Sequence, residues 1–135
     1  MGDPECQTIL PLLENDLFEI FFNCCVGKLN EEKVRLSNKK SICIVLCSKG
    51  YPEDYKKDSE INKLNKLSLK NNEYIYHAGT KLKNNKVLNS GGRVLNFVST
   101  SNNLKESRDD LIKLIKRLDW ENGFFRKDIA YKVID

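Results

Sequence analysis

The fold is decided by residues 74–98, which read YIYHAGTKLKNNKVLNSGGRVLNFV. Two apolar runs that begin at Tyr74 and Val94 have the composition of β-strands, and a shorter run around Val87 lies between them. The triplet Lys83-Asn84-Asn85 supplies a turn before this middle run. The segment therefore predicts three consecutive strands joined as an antiparallel meander.

Glycines mark both outer strands of this segment. The first strand carries His77, the only histidine of the chain, and the second follows the pair Gly91-Gly92 and begins with Arg93. Glycine allows close backbone approach, and arginine is better suited than lysine to bind a phosphate or carboxylate through two hydrogen bonds. We therefore predict an anion site here. A plain turn at the glycine pair and a structural, hydrogen-bonded His77 are the alternatives.

An apolar run precedes this segment, and a helical pattern follows it. Residues 41–48 predict a strand buried on both faces, which Gly50 and Pro52 would end. Residues 55–72 are rich in lysine, asparagine and serine and predict a surface excursion with little core of its own. Residues 104–118 combine an apolar stripe with charged positions and predict the clearest helix, capped by Asn102 or Asn103.

Two helices are predicted near the amino terminus. Asp3 would cap the first, with Pro4 in its first turn, and a short helical stretch would follow through Leu10 to Leu13. Asp16 would cap the second helix, which would extend to Leu29 and carry an apolar face that must pack on something. The predicted fold class is α+β: two amino-terminal helices followed by a small antiparallel sheet or partial barrel, with one long helix packed on it.

Composition limits the classes of protein to consider. With 135 residues, 40% of them hydrophobic and 31% charged, the chain has the size and balance of one soluble domain. Its net charge of +4 is scattered, and no apolar run approaches the roughly 20 residues of a membrane helix, so neither nucleic acid nor membrane is expected as a partner. Acidic Asp3 and Glu5 stand where a basic leader would lie, which predicts a cytoplasmic protein.

No catalytic residue or metal ligand can be assigned from local motifs. The chain has no phosphate-binding Walker loop and no dinucleotide fingerprint. It also has no cysteine or serine at a sequence spacing from His77 that suggests a nucleophile paired with a base. The five cysteines form an odd set without a CxxC pair, which predicts buried, reduced thiols rather than zinc ligands or disulfides. The five are Cys6, Cys24, Cys25, Cys43 and Cys47.

Five short motifs nevertheless carry a combined signal. They are GDPECQ at residues 2–7, SKGYP at 48–52, HAGT at 77–80, SGGRVL at 90–95 and RKDI at 126–129. In this order they resemble the carboxy-terminal part of glycinamide ribonucleotide synthetase, also called phosphoribosylamine-glycine ligase, a family of the ATP-grasp superfamily. The resemblance covers essentially the whole chain. It implies that residues 1–38 are the tail of an ATP-grasp domain and residues 39–135 the carboxy-terminal domain.

The resemblance also implies a reaction of purine biosynthesis. ATP would phosphorylate the carboxylate of glycine, and the amine of phosphoribosylamine would attack the acyl phosphate, with Mg²⁺ offsetting the phosphate charge. By the same analogy, Asp3, Pro4 and Glu5 would lie beside the substrate. Arg93, together with the backbone of Gly91 and Gly92, would contact the ribose phosphate, and His77 would orient the hairpin.

The same resemblance predicts that these residues do not act alone. In the family, an arginine-aromatic pair precedes the GDPE-type segment, and metal-binding residues precede that pair, whereas Met1 stands at the aromatic position here. We therefore expect ATP and Mg²⁺ to bind only in the complete enzyme, the purified chain to lack ligase activity, and the ATP-grasp portion to be a partner in cis or in trans. The alternative is a non-catalytic, anion-binding module that retains the fold.

Overall fold

A computed structural model describes residues 2–29 and 34–134 of the chain. Met1, which the resemblance places at the aromatic position of the family, lies outside these ranges. The α-helices are α1 (Glu5–Ile9), α2 (Leu17–Cys25) and α3 (Leu104–Leu118). The strands are β1 (Lys40–Ser48), β2 (Glu73–His77), β3 (Thr80–Lys83), β4 (Lys86–Asn89), β5 (Arg93–Ser101) and β6 (Gly123–Phe124). Short 3₁₀ turns occur at Leu10–Leu12, Leu64–Lys66 and Tyr131–Val133.

The central strands β1 and β5 run antiparallel along almost their whole length. They hold the middle of a four-stranded sheet in the order β2-β5-β1-β6. Every second residue of β1 is buried, beginning at Ile42, whereas Cys43, Val45 and Cys47 between them are only half-buried. The prediction of a strand buried on both faces was therefore wrong, because one face of β1 packs in the core and the other borders a cavity.

The predicted meander does not form. Strand β2 pairs directly with β5, while β3 and β4 form a separate two-stranded sheet. Its turn uses Asn84 and Asn85, both with positive φ, as expected for a tight hairpin. Three of the four residues of β3 are exposed, so this hairpin has little apolar surface with which to hold a place in the main sheet. Ile75 of β2, by contrast, packs against the core.

Helix α3 covers one face of the sheet. Leu111, Leu114, Ile115 and Leu118 are buried against the inward residues of β1 and β5. Asn103 caps the helix by accepting hydrogen bonds from the backbone N–H groups of Lys105 and Glu106, which settles the choice between the two predicted caps. The α+β class is thus confirmed, and the described residues form an open sheet and no barrel.

The excursion over residues 55–72 contributes more to the core than predicted. Ile61 is only 3% exposed and belongs to the core cluster. Its backbone N–H donates to the carbonyl of Val87 at 2.8 Å, and Glu60 forms an isolated bridge with Leu88. Leu64 and Leu67 also pack against this cluster. A few apolar residues in a polar stretch thus anchor the loop along the free strand edge of the exposed hairpin.

The amino-terminal helices differ from the prediction in their ends. Pro4, not Asp3, precedes the first helical residue, and no side chain caps α1. Asp16 caps α2 as predicted, by accepting from Phe18 and Glu19, but the helix ends at Cys25 rather than Leu29. Neither helix contains a buried residue.

The apolar face of α2 is exposed among the residues that the structure describes. Phe18 and Phe22 are 74% and 55% exposed and stack on each other with ring centroids 6.2 Å apart. All five cysteines are free, as predicted, but none is fully buried: Cys24 and Cys25 on this helix are exposed, and the other three are half-buried. Within residues 2–29 and 34–134, no helix is both long enough and apolar enough to cross a membrane.

Candidate anion-binding site

The two glycine-marked segments lie side by side, because β2 pairs with residues 95–99 of β5 and backbone hydrogen bonds extend this pairing to the start of β5. The backbone N–H of Ala78 donates to the carbonyl of Val94 at 3.0 Å, and that of Gly79 donates to the carbonyl of Arg93 at 2.8 Å. The carbonyl of Gly79 in turn accepts from Ser90 and Gly91. The two segments are therefore direct neighbours, without the intervening strand of the predicted meander.

Glycine is required here for close packing. A Cβ atom on Gly79 would lie 2.5 Å from the carbonyl oxygen of Arg93 and 2.7 Å from the Cα atom of Gly91. A Cβ atom on Gly92 would clash with the ring of Tyr51. Neither Gly91 nor Gly92 has a positive φ. A plain turn therefore does not account for this glycine pair, whose backbone is enclosed on two sides.

Arg93 is the first residue of β5, and its side chain is 44% exposed. One of its terminal nitrogens, Nη1, donates to the backbone carbonyl of Asp3 at 2.6 Å. The other, Nη2, lies 3.8 Å from the carboxylate of Asp3. A guanidinium has five N–H donors, so this contact orients the side chain and leaves donors for an anion.

Asp3 is held in place by two side chains that sequence reasoning missed. Its Oδ1 accepts from Gln7 Nε2 at 2.9 Å and from Asn96 Nδ2 at 3.1 Å. Asn96 is fully buried, and its Oδ1 has no partner among the described residues. The amide of Asn96 therefore serves as a donor to Asp3. An asparagine within the apolar run of β5 was the signal that could have pointed to it.

The other predicted site residues are less closely involved. Pro4 lines an apolar cavity whose walls do not include Arg93. Glu5 is exposed and makes no ion pair with any residue that the structure describes. His77 is also exposed, and its Nδ1 lies 2.8 Å from the hydroxyl of Thr80, with no hydrogen bond to Asp3 or Arg93. The structure thus brings together Asp3, Gly91, Gly92 and Arg93, and it leaves Glu5 and His77 at the periphery.

An apolar cavity of about 370 Å³ lies on the face of β1 opposite the core, and neither Asp3 nor Arg93 is among its lining residues. Its walls include Pro4, Cys43, Cys47, Tyr51, Phe124 and Phe125. Burial, and secondarily the charge of Asp3, raises the pKa of Cys43 to about 12. Burial also raises the pKa of Cys47, although the positive charge of Arg93 opposes this. Both thiols are therefore neutral at physiological pH, the form in which a cysteine is a poor nucleophile.

Comparison with known proteins gives consistent matches. The family model "Phosphoribosylglycinamide synthetase, C domain" matches residues 41–132, more than half of the chain. A phosphoribosylamine-glycine ligase of Caldanaerobacter subterraneus is 42% identical over 96% of this chain and 30% of the relative. The trifunctional purine biosynthetic protein adenosine-3 of Homo sapiens is 40% identical over 98% of this chain and 13% of the relative.

A solved structure agrees with the sequence relatives. The crystal structure of a phosphoribosylamine-glycine ligase from Thermotoga maritima matches 95% of this chain with a TM-score of 0.69 at 27% identity. The match covers 31% of that enzyme. The chain therefore spans less than a third of the length of each of these relatives.

Proposed function

The chain belongs to the phosphoribosylglycinamide synthetase C-domain family, and we propose that it forms the carboxy-terminal part of an ATP-dependent phosphoribosylamine-glycine ligase of purine biosynthesis. In this role it supplies one wall of the substrate cleft. The observation that carries the proposal is the half-exposed guanidinium of Arg93, which is oriented by Asp3 and still has free donors.

The anion to be bound is the phosphate of phosphoribosylamine. Arginine can grip a phosphate through two parallel hydrogen bonds, and holding the phosphate end of the substrate would keep its amine in position for attack on the acyl phosphate of glycine. Asp3 would orient Arg93, Pro4 would border the ligand, and the backbone of Gly91 and Gly92 would shape the wall. Glu5 and His77 are proposed only as flanking residues, since neither contacts the arginine.

The proposed domain division places residues 1–38 in the tail of an ATP-grasp domain and residues 39–135 in the carboxy-terminal domain. Two observations support it: the family model begins at residue 41, and neither α1 nor α2 buries a residue. The apolar face of α2 would then be covered by the rest of the ATP-grasp domain, either in the same polypeptide or in a partner chain.

ATP and Mg²⁺ are assigned in this proposal to the remainder of the complete enzyme. Across residues 2–29 and 34–134, no group of three or more His, Cys, Asp or Glu side chains is placed to hold a metal ion. We therefore expect the ligands of Mg²⁺ to come from the remainder of the enzyme. The proposal expects no ligase turnover from the purified 135-residue chain.

The direct test replaces Arg93 in a complete ligase that carries this chain as its carboxy-terminal part. Arg93→Ala should reduce the stabilisation of the transition state by about 2 to 4 kcal/mol, because the phosphate would lose a charge-assisted hydrogen-bond partner. The ratio of kcat/KM for phosphoribosylamine between the two enzymes measures this loss. The matched control is Arg117→Ala, which removes the same charge from an exposed position on α3. Unchanged kinetics in the Arg93 variant would remove this residue from the site.

The ligase part and the alternative, a self-sufficient anion-binding module, differ in what they predict for the isolated chain. If the chain is part of a ligase, the exposed apolar face of α2 should cause association in solution, and the double substitution of Phe18 and Phe22 by serine should reduce this association. Tyr131→Ser is the control, since Tyr131 is an exposed aromatic residue (58%) at the other end of the chain. A monodisperse monomer in light scattering would favour the module over the ligase part.

A further inference from the structure

One buried serine holds both carbonyl groups of the glycine pair. Ser48 is the last residue of β1 and is 1% exposed. Its backbone N–H donates to the carbonyl of Gly92 at 2.8 Å, and its hydroxyl donates to the carbonyl of Gly91 at 3.0 Å. The two peptide groups that precede Arg93 are thus tied to the central strand of the sheet.

A buried asparagine sets the direction of this hydroxyl. Asn89 is fully buried, and its Nδ2 donates to Ser48 Oγ at 2.9 Å and to the carbonyl of Lys56 at 2.7 Å. Its Oδ1 accepts from the backbone N–H of Ser59 at 2.7 Å. Because Ser48 Oγ accepts from Asn89, its single proton is directed to Gly91. Every polar atom of the Asn89 side chain has a partner.

The network continues to the segment after α3. Ser59 Oγ accepts from Asn122 Nδ2 at 2.7 Å and from Trp120 Nε1 at 3.3 Å. On another side of the glycine pair, the ring of Tyr51 packs against Gly92. Glycine is the most flexible residue of a free chain, so these contacts restrict the part of the backbone that would otherwise vary most.

We propose that Ser48 and Asn89 are positioning residues of the anion site. They do not touch the ligand; they fix the Gly91 and Gly92 peptides and thereby the direction in which Arg93 leaves the sheet. The inference rests on the proposed function only for the identity of the ligand, a phosphate carried on a ribose. Bidentate binding depends on the placement of the guanidinium, and a fully satisfied buried network specifies one backbone geometry.

The test compares two buried hydroxyl deletions. Ser48→Ala removes the bond to Gly91, whereas the control Ser107→Ala removes a hydroxyl that is 2% exposed and bonded to Ser99 and Ser101 near the far end of β5. The first readout, the nuclear magnetic relaxation of the Arg93 Nε–H group, needs no ligand. The second is the dissociation constant for ribose 5-phosphate, measured by titration of the same samples.

Ser48→Ala should increase the motion of the Arg93 side chain and weaken ribose 5-phosphate binding about tenfold or more, while Ser107→Ala should change neither. Ser48→Thr restores the hydroxyl and should recover both. If Ser48→Ala does not fold, Ser48→Cys, which weakens the bond and keeps a donor, replaces it. Equal Arg93 motion in the Ser48 and Ser107 variants would overturn the inference. Failure of the unsubstituted chain to bind ribose 5-phosphate would count against the proposed ligand, and Arg93 motion would still decide the positioning role.

Discussion

The turn at Gly91–Arg93 and the helix α2 differ in how many packing and hydrogen-bond partners the described residues provide. The turn is bonded to Ser48, packed against Tyr51 and Gly79, and oriented through Asp3. Helix α2 has a well-formed cap but buries no residue and exposes Phe18 and Phe22. This difference supports the proposals that the turn is a surface for a ligand and that α2 packs against a part of the enzyme outside this chain.

The largest expected contrast uses the same residue type in both regions. Phe97→Ala should reduce the free energy of unfolding by about 3 to 5 kcal/mol, because Phe97 is fully buried in the core. Phe22→Ala should change it by no more than about 0.5 kcal/mol, since its ring is 55% exposed. Urea unfolding of the isolated chain measures both. A loss at Phe22 comparable to that at Phe97 would show that α2 packs within this chain.

The next contrast tests how tightly the turn is packed. Gly92→Ala should cost about 1 to 3 kcal/mol, because its Cβ atom would clash with the ring of Tyr51. Tyr51→Ala should cost stability too, but the double variant should be less destabilised than the sum of the two single changes. A double-mutant cycle in urea measures this coupling. Additive losses would mean that the ring does not enclose the turn.

A chemical contrast separates the thiol of Cys43 in the central strand β1 from the two thiols on α2. The pKa of Cys43 is raised to about 12 by burial, so at pH 8 iodoacetamide should modify it about tenfold or more slowly than the exposed Cys24 and Cys25. Peptide mass spectrometry gives the rates, and the difference should vanish in urea. Equal rates in the folded chain would contradict the burial of Cys43.

The same pKa shift has a consequence for stability, with a definite sign. The folded state disfavours the thiolate of Cys43, whereas the unfolded chain ionises at the ordinary pKa of 9.0. The free energy of unfolding is therefore unaffected by this group below pH 9 and falls progressively as the pH rises toward about 12. Cys43→Ala should therefore flatten the alkaline fall in the free energy of unfolding between these values. Cys24→Ala is the control.

The smallest expected contrast concerns the two helix caps. Asn103 and Asp16 each accept two backbone hydrogen bonds at the start of α3 and α2. Asn103→Ala should lower the free energy of unfolding by about 1 kcal/mol, because α3 is part of the core. Asp16→Ala should reduce helical circular dichroism with a smaller change in the unfolding transition reported by the fluorescence of Trp120, which is buried.

Local patterns predicted the elements that local interactions create. The limits of α3 and the cap at Asp16 follow from periodicity and short polar side chains, and the structure confirms them. Of the two caps predicted for α3, Asn102 and Asn103, the structure has Asn103. Strand pairing was not predictable in the same way. The meander was wrong because β5 pairs with β1 and β2, and no feature within residues 74–98 specifies the more distant strand β1.

The residues of the candidate site likewise differ in how far they could be predicted from local sequence. Gly91, Gly92 and Arg93 could be proposed from residue chemistry, because a glycine pair before an arginine favours an anion site, with a plain turn as the alternative. Asn96 could not, since its hydrogen bond to Asp3 joins residues 93 positions apart. Gln7 lies only four positions from Asp3, a spacing at which side chains of one helical turn meet, so its contact was open to prediction and was missed. Ser48 and Asn89 were likewise recognisable only after the backbone had brought them together.

The contact between Arg93 and Asp3 joins residues 90 positions apart. Closing so long a loop carries a large entropic cost, and contacts of high sequence separation slow folding. We expect the contact to form late, after β1 and β5 have paired. A nascent or partly folded chain would then present the glycine pair without an oriented arginine, so anion binding would report on the completion of folding.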